Sequence, residues 1–280
     1  MESPQRGPQF RSPLSAPALS SLSLEASGPV PGWNNQLEVL PDAEHLSAAV
    51  ADALLDQLLF PQARPLGLAT GRTVVAVYAA LRQRIAALAA AERARLLAGW
   101  RSFNLDDYVG LPRHDPRSFA AEMEARLITP LGLAPERVAL PDGLAADPHA
   151  EAERYSAALQ AAGGIGLQLL GLGNNGHVGF NEPPCEASQR CHVVELDAAT
   201  RAQNAAAFGG DPEAVPRRAI TLGLAEILAA EQILLVVSGG AKAPILKRLL
   251  QEPANAQLPA SWLQHHPRLR LMVDRAALAG

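Results

Sequence analysis

Between residues 42 and 59, apolar side chains recur at Leu46, Val50, Leu54 and Leu58, the spacing of one helical face, and Asp42 stands where an N-cap belongs. Similar patterns predict helices over 73–89, 118–127, 150–162, 219–230 and 241–250. Short apolar runs separate them, at 66–69, 100–105, 165–170, 191–196, 233–237 and 269–273, and these read as strands. The run 233–237, Ile-Leu-Leu-Val-Val, has no polar position at all, which suits a strand covered on both faces. Strands that alternate with helices of about ten or more residues imply a doubly wound, mostly parallel sheet with helices on both faces. The expected class is α/β, a Rossmann-like fold in a single domain.

In such sheets ligands collect at the carboxyl ends of the strands. Four polar clusters fall there. Thr70-Gly71-Arg72-Thr73 joins a strand to a helix, so free N–H groups and the helix dipole make an anion site that the threonine hydroxyls can extend. An ordinary glycine turn with a threonine cap would have the same look. Ser238-Gly239-Gly240-Ala241-Lys242 repeats the arrangement, with Lys242 opposing the dipole of the helix it opens unless it serves an anion. Together they suggest a phosphate held by two loops and a cation. A nucleotide P-loop is excluded, because G-x-x-x-x-G-K-[ST] is absent.

Asp106 and Asp107 close a third strand, and neighbours on a strand point to opposite faces, so one of them at most meets a ligand. A carboxylate there is a suitable base for a carbon acid beside a carbonyl or imine. The fourth cluster, residues 171–183, holds His177, Asn181 and Glu182 among glycines. Its first six residues, Gly-Leu-Gly-Asn-Asn-Gly, spell the dinucleotide fingerprint G-x-G-x-x-G, with Glu195 about 20 residues on. The fingerprint needs a helix after its third glycine. Gly179, Pro183 and Pro184 prevent one, so no nicotinamide or flavin cofactor is expected.

The composition removes other classes. A formal charge of −4 over 280 residues offers no basic field for nucleic acid or an anionic membrane. No apolar run approaches the roughly 18 residues of a membrane span. Cys185 and Cys191, outside any Cys-x-x-Cys motif, read as reduced thiols of a cytoplasmic chain, and the histidines form no metal-binding pair. Residues 1–35 are rich in Ser and Pro without hydrophobic period, which predicts a disordered extension ahead of a folded unit at 36–280.

Taken jointly, these pieces resemble the glucosamine-6-phosphate deaminase/isomerase family. The matching segments are Leu66-Gly67-Leu68-Ala69-Thr70-Gly71, the stretch from Phe103 through Asp106-Asp107-Tyr108 to Leu111, and the Gly-His-x-x-Phe-Asn-Glu-Pro core at 176–183. Thr200-Arg201 with Asn204, Ser238 to Lys242, and Pro259-Ala260-Ser261 extend the likeness from about residue 37 to the end. The 6-phosphogluconolactonases share the fold but typically carry Gly-His-Thr-Ala-Ser-Leu-Phe-Pro in place of that core.

The resemblance implies conversion of an amino-sugar 6-phosphate and water to fructose 6-phosphate and ammonia, without a cofactor or metal. It makes Asp106 the base that moves a proton from C2 to C1. His177 with Glu182 becomes the ring-opening pair, and Asn175 the third member of that relay, where much of the family has Asp. An amide there orients the His177 ring but cannot ionise. Thr70, Gly71, Thr73, Arg201 and Lys242 become the phosphate cradle. Arg72 replaces a usually small residue and either adds a phosphate contact or crowds the site. The partner implied is a small amino-sugar phosphate, and the short chain end is similar to that of a branch built as a monomer or small homo-oligomer. A lactonase using His177 to activate water, or a sugar-phosphate sensor that has lost the chemistry, are the alternatives.

Overall fold

The apolar runs form strands that lie side by side in a computed structural model, which describes Trp33, residues 36–60 and residues 63–279. The expected extension at 1–35 falls outside the described residues, apart from Trp33. The strands are β1 (Leu37–Leu40), β2 (Leu66–Leu68), β3 (Ser102–Asn104), β4 (Asp106–Tyr108), β5 (Val138–Ala139), β6 (Leu167–Gly171), β7 (His192–Glu195), β8 (Arg218–Thr221), β9 (Gln232–Val237) and β10 (Leu269–Asp274). Seven make one parallel sheet in the order β1-β10-β9-β6-β2-β3-β5. All six residues of β9 are buried, and Leu235 sits between Leu170 of β6 and Leu271 of β10. That two-sided burial explains the polar-free run.

The helices are α1 (Ala43–Leu59), α2 (Arg72–Ala87), α3 (Ala90–Gly99), α4 (Phe119–Met123), α5 (Thr129–Leu131), α6 (Pro148–Ala161), α7 (Ala198–Asn204), α8 (Leu224–Leu228), α9 (Ala243–Gln251) and α10 (Arg275–Leu278). Asp42 caps α1 by accepting the His45 N–H at 2.9 Å, as expected from sequence. Ser118 caps α4 in the same way. The predicted helix 118–127 is not regular throughout, because a π-helical turn, Glu124–Ile128, joins α4 to α5.

From β2 the chain builds outward to β3 and β5, then returns to the other side of β2 as β6 and continues to β9 and β10. The winding therefore changes direction between β2 and β6. Loops leaving two such strands diverge, and a crevice opens between them at their carboxyl ends.

Two expectations need correction. The predicted helix 219–230 is a strand followed by a shorter helix, β8 and α8. The strand at 191–196 exists as β7 but lies outside the parallel sheet, in a three-stranded antiparallel sheet ordered β4-β8-β7. The segment Arg218–Thr221 was helix-compatible alone; pairing with β4 on one side and β7 on the other overrode that preference. The second sheet carries its own small core, in which Tyr108, Phe119, Phe180 and Phe208 meet with ring centroids 4.8 to 5.6 Å apart.

The two sheets join at Leu105. Its N–H donates to the Leu68 carbonyl of β2 at 2.9 Å, and its carbonyl accepts the Leu222 N–H at 2.7 Å. Behind this junction the buried Tyr155 hydroxyl of α6 shares its proton between the carbonyls of Asn104 (2.8 Å) and Ala139 (3.0 Å). Tyr155→Phe leaves both carbonyls without that donor, and the expected loss is about 1–2 kcal/mol of unfolding free energy in urea. An unchanged midpoint and slope would show that the hydroxyl contributes nothing.

Candidate active site

A cavity of about 300 Å³ occupies the crevice between the ends of β2 and β6. Thr70, Gly71, Arg72 and Thr73 enter it from the start of α2, Asp106 from β4, His177 from the loop after β6, and Lys242 from the loop after β9. Four of the polar clusters predicted from strand ends thus converge.

The Asp106–Asp107 pair divides as strand geometry requires. Asp107 turns away and accepts the N–H groups of Tyr108, Phe119 and Ala120 at 2.8 to 3.0 Å, anchoring the first turn of α4. Asp106 faces the cavity, 5% exposed. Burial first, and the neighbouring Asp107 charge second, raise its carboxyl well above the ordinary value. Gly179, with φ +57°, passes close by, and a Cβ there would lie 3.3 Å from Asp106 Oδ2. A side chain at 179 would crowd the carboxylate.

His177 stands on the cavity wall, with Glu182 and Asn175 behind it. Its Nδ1 is 3.3 Å from the Thr200 hydroxyl and 3.6 Å from Glu182 Oε2. Nε2 is then the ring nitrogen left for a ligand. A Cβ on Gly173 would collide with Nε2 and both ring carbons beside it, so only glycine lets the ring occupy this place. Burial would raise the Glu182 carboxyl, but hydrogen bonds from His177, Thr200 and Asn175 outweigh it and hold the group below its usual value. The expectation that Asn175 orients the His177 ring is corrected here. Its amide N–H donates to Glu182 Oε2 at 2.7 Å, and its carbonyl oxygen accepts the His177 backbone N–H at 3.2 Å. Asn175 therefore serves the carboxylate, and Thr200 and Glu182 serve the ring.

At the other end, Lys242 Nζ donates to Asn174 Oδ1 at 2.6 Å. Burial, with help from the Arg72 charge, lowers its ammonium to about 8. Among the described residues no carboxylate lies within ion-pair reach of Arg72 or Lys242. Two cations line one cavity without a counter-charge among the described residues. Arg201 is not among them. Its guanidinium leaves the cavity for the Pro212 carbonyl (3.1 Å) and Glu213 (3.0 Å). On α7 the inward stripe is Thr200, Gln203 and Asn204, and Arg201, one position past Thr200, is rotated about 100° off it. The glycines at 239 and 240 do not line the cavity either, and from that loop Lys242 alone reaches it.

A profile of the glucosamine-6-phosphate isomerases/6-phosphogluconolactonase family matches residues 41–272. The chain belongs to this family. Across it, the chain is 42% identical over 244 residues to the glucosamine-6-phosphate deaminase of Rhodopirellula baltica, covering 86% of this chain and 94% of that one. It superposes with a TM-score of 0.80 at 34% identity on a structure described as a monomeric glucosamine-6-phosphate deaminase, covering 86% of this chain and 98% of the other. A 6-phosphogluconolactonase from Leishmania guyanensis shares the fold, with a TM-score of 0.66 at 20% identity over 88% and 98% of the two chains.

Sequence reading missed several residues that line the cavity. Arg117, Glu122 and Arg126 line the cavity from the start of α4 and the π-helical turn, and Gln203 lines it from α7 while accepting the Asn174 N–H. Glu122 and Arg126 fall in the predicted helix 118–127, Arg117 just ahead of it and Gln203 in a stretch with no predicted element, so local pattern gave none of them a ligand-facing place.

Asn175→Asp would set a second carboxylate at hydrogen-bond distance from Glu182. The like charge raises the Glu182 carboxyl, so the acid limb of a kcat/KM profile is expected to move to higher pH, with turnover retained on the alkaline side. A limb that stays in place would mean that the amide at 175 does not govern Glu182.

Proposed function

We propose that the chain is a glucosamine-6-phosphate deaminase, converting the amino-sugar 6-phosphate and water to fructose 6-phosphate and ammonia. One observation carries the reading: a desolvated carboxylate and a histidine share a cavity with two cations that lack a counter-charge. His177, through Nε2, moves the anomeric hydroxyl proton to the ring oxygen and opens the pyranose. Asp106, made more basic by burial, takes the C2 proton and returns it to C1. The resulting C2 imine adds water and releases ammonia, leaving the ketose. Glu182 keeps the His177 ring in register and compensates the imidazolium while it exists.

The phosphate rests on Arg72, Lys242 and the α2 N-terminus, where Gly71 provides no side-chain cap and the Val74 N–H turns back to the Gly71 carbonyl, leaving the Arg72 and Thr73 N–H groups for the anion. Arg72 takes the cationic share that resemblance gave to Arg201. The similar structure described as monomeric supports a single chain as the working unit, and the two free cysteines fit a cytoplasmic setting.

Incubation with glucosamine 6-phosphate should release ammonia and ketose in equal amounts, and Asp106→Asn should lower kcat by at least about a thousandfold. Consumption of a sugar-phosphate lactone in place of the amino sugar, or substantial turnover by Asp106→Asn, would reject the reading.

Arg72→Ala removes a charged contact worth about 1.5–3 kcal/mol and should raise KM about ten- to a hundredfold. Arg201→Ala, by contrast, should leave KM within about twofold. The reverse ranking in steady-state kinetics would return the phosphate to α7.

A further inference from the structure

Asp274 has no part in the chemistry above, yet it is 2% exposed and among the described residues it pairs with no cation. It closes β10, one residue beyond the Val273–Val237 pair that ends the register with β9. From there both its oxygens reach the loop leaving β9. Oδ2 accepts the Ser238 hydroxyl, and both oxygens accept the Gly239 N–H at 3.0 Å. Oδ1 also accepts the Ala277 N–H at 2.8 Å, capping α10. One buried carboxylate is thus satisfied entirely by dipoles from two short segments. Such a group is costly to bury unless every donor stays in place, so it holds both segments to a single geometry.

Gly239 leads directly into the turn Gly240–Lys242, closed by the Lys242 N–H donating to the Gly239 carbonyl at 3.0 Å. Lys242 is the one residue of this loop that lines the cavity. A lysine stem has four rotatable bonds, and its ammonium stays in a partly buried place beside another cation only if its backbone is fixed. The Ser238 hydroxyl proton and the Gly239 N–H are not free to donate to a phosphate, since Asp274 already takes both.

We propose that Asp274 is the positioning residue of the phosphate end: by clamping Ser238 and Gly239 to the end of β10 it fixes the turn that presents Lys242. The proposal rests on the reading of Arg72 and Lys242 as phosphate ligands. It makes phosphate affinity depend on a carboxylate that never touches phosphate. Because the phosphate is gripped alike in ground and transition states, the loss should fall on KM and spare kcat.

The test measures inorganic phosphate binding by calorimetry, and steady-state kinetics, for the full chain, Asp274→Asn and Ser238→Ala. Asp274→Asn keeps the volume but replaces an acceptor with a donor against Ser238 and Gly239. It should raise the phosphate Kd and the amino-sugar phosphate KM in parallel, by about five- to twentyfold, with kcat within about threefold. Ser238→Ala removes one bond of the clamp and should shift both constants the same way by about threefold. A further Lys242→Ala change should cost less in the Asp274→Asn background than in the native chain. A folded Asp274→Asn with native phosphate affinity, or with kcat lowered and KM unchanged, overturns the proposal. Should Asp274→Asn fail to fold, native affinity in Ser238→Ala overturns it. Failure of the native chain itself to bind phosphate removes the underlying reading and the proposal together, and so is distinct from failure of the clamp alone.

Discussion

Leu105 links the two sheets by one hydrogen bond to each side, and the placement of the cavity's carboxylate depends on it. Its N–H is committed to the parallel sheet through Leu68, and its carbonyl to the antiparallel sheet's side through Leu222. Buried backbone groups must stay paired, so the peptide cannot rotate without leaving one or both orphaned. The next residue, Asp106, inherits that rigidity. A carboxylate that loses its water this completely would ordinarily swing out or draw in a cation. Here it is held by a backbone anchored on both sides, and the cost of its burial appears as heightened basicity.

The cavity is organised as two electrostatic ends. At one, Asp106 is raised by burial while Glu182, a short distance along the chain from His177, is lowered by the donors around it. Two carboxyl groups of similar intrinsic strength are thereby pushed apart, the separation that the proposed reaction uses when one accepts a carbon-bound proton and the other stays ionised beside an imidazole. At the other end Lys242 is brought down to about 8 by burial and by Arg72. Two cations lining one cavity without a counter-ion are unfavourable alone, and the phosphate dianion of the proposed substrate would relieve both their repulsion and their desolvation. The same physics, burial of charge, acts at each end, and in the proposed reaction each end meets a different part of one substrate.

Much of this was legible in sequence. Helical faces showed as three-to-four-residue spacing, the Asp42 cap was placed correctly, and the polar clusters after strands β2, β3, β6 and β9 do converge on one edge. The parity of a strand set Asp106 and Asp107 on opposite faces, and the family resemblance chose Asp106 as the one that meets the cavity. Less visible were features that local pattern does not encode. The segment Arg218–Thr221 reads as helix until β4 and β7 flank it, and Arg201 reads as a phosphate ligand until the rotation of α7 turns it toward Glu213. Asn175 was assigned to the ring of His177, whereas its two polar ends reach a carboxylate seven residues on and a backbone N–H two residues on.

By itself the chain's order of residues determined the periodicities, the Asp42 cap, the glycine four residues before His177 that admits its ring, and the chemical types available at each strand end. Those arise from interactions within a few residues of one another. The tertiary structure alone decided which cation faces the cavity, which donor serves which carboxylate, and that a carboxylate at the end of β10 grips the loop after β9. Such choices are made between groups that do not share one helical turn, from seven residues apart at Asn175 and Glu182 to 36 at Ser238 and Asp274. They depend on helix rotation and sheet register, quantities that a shift of one position reverses and that no local sequence pattern records.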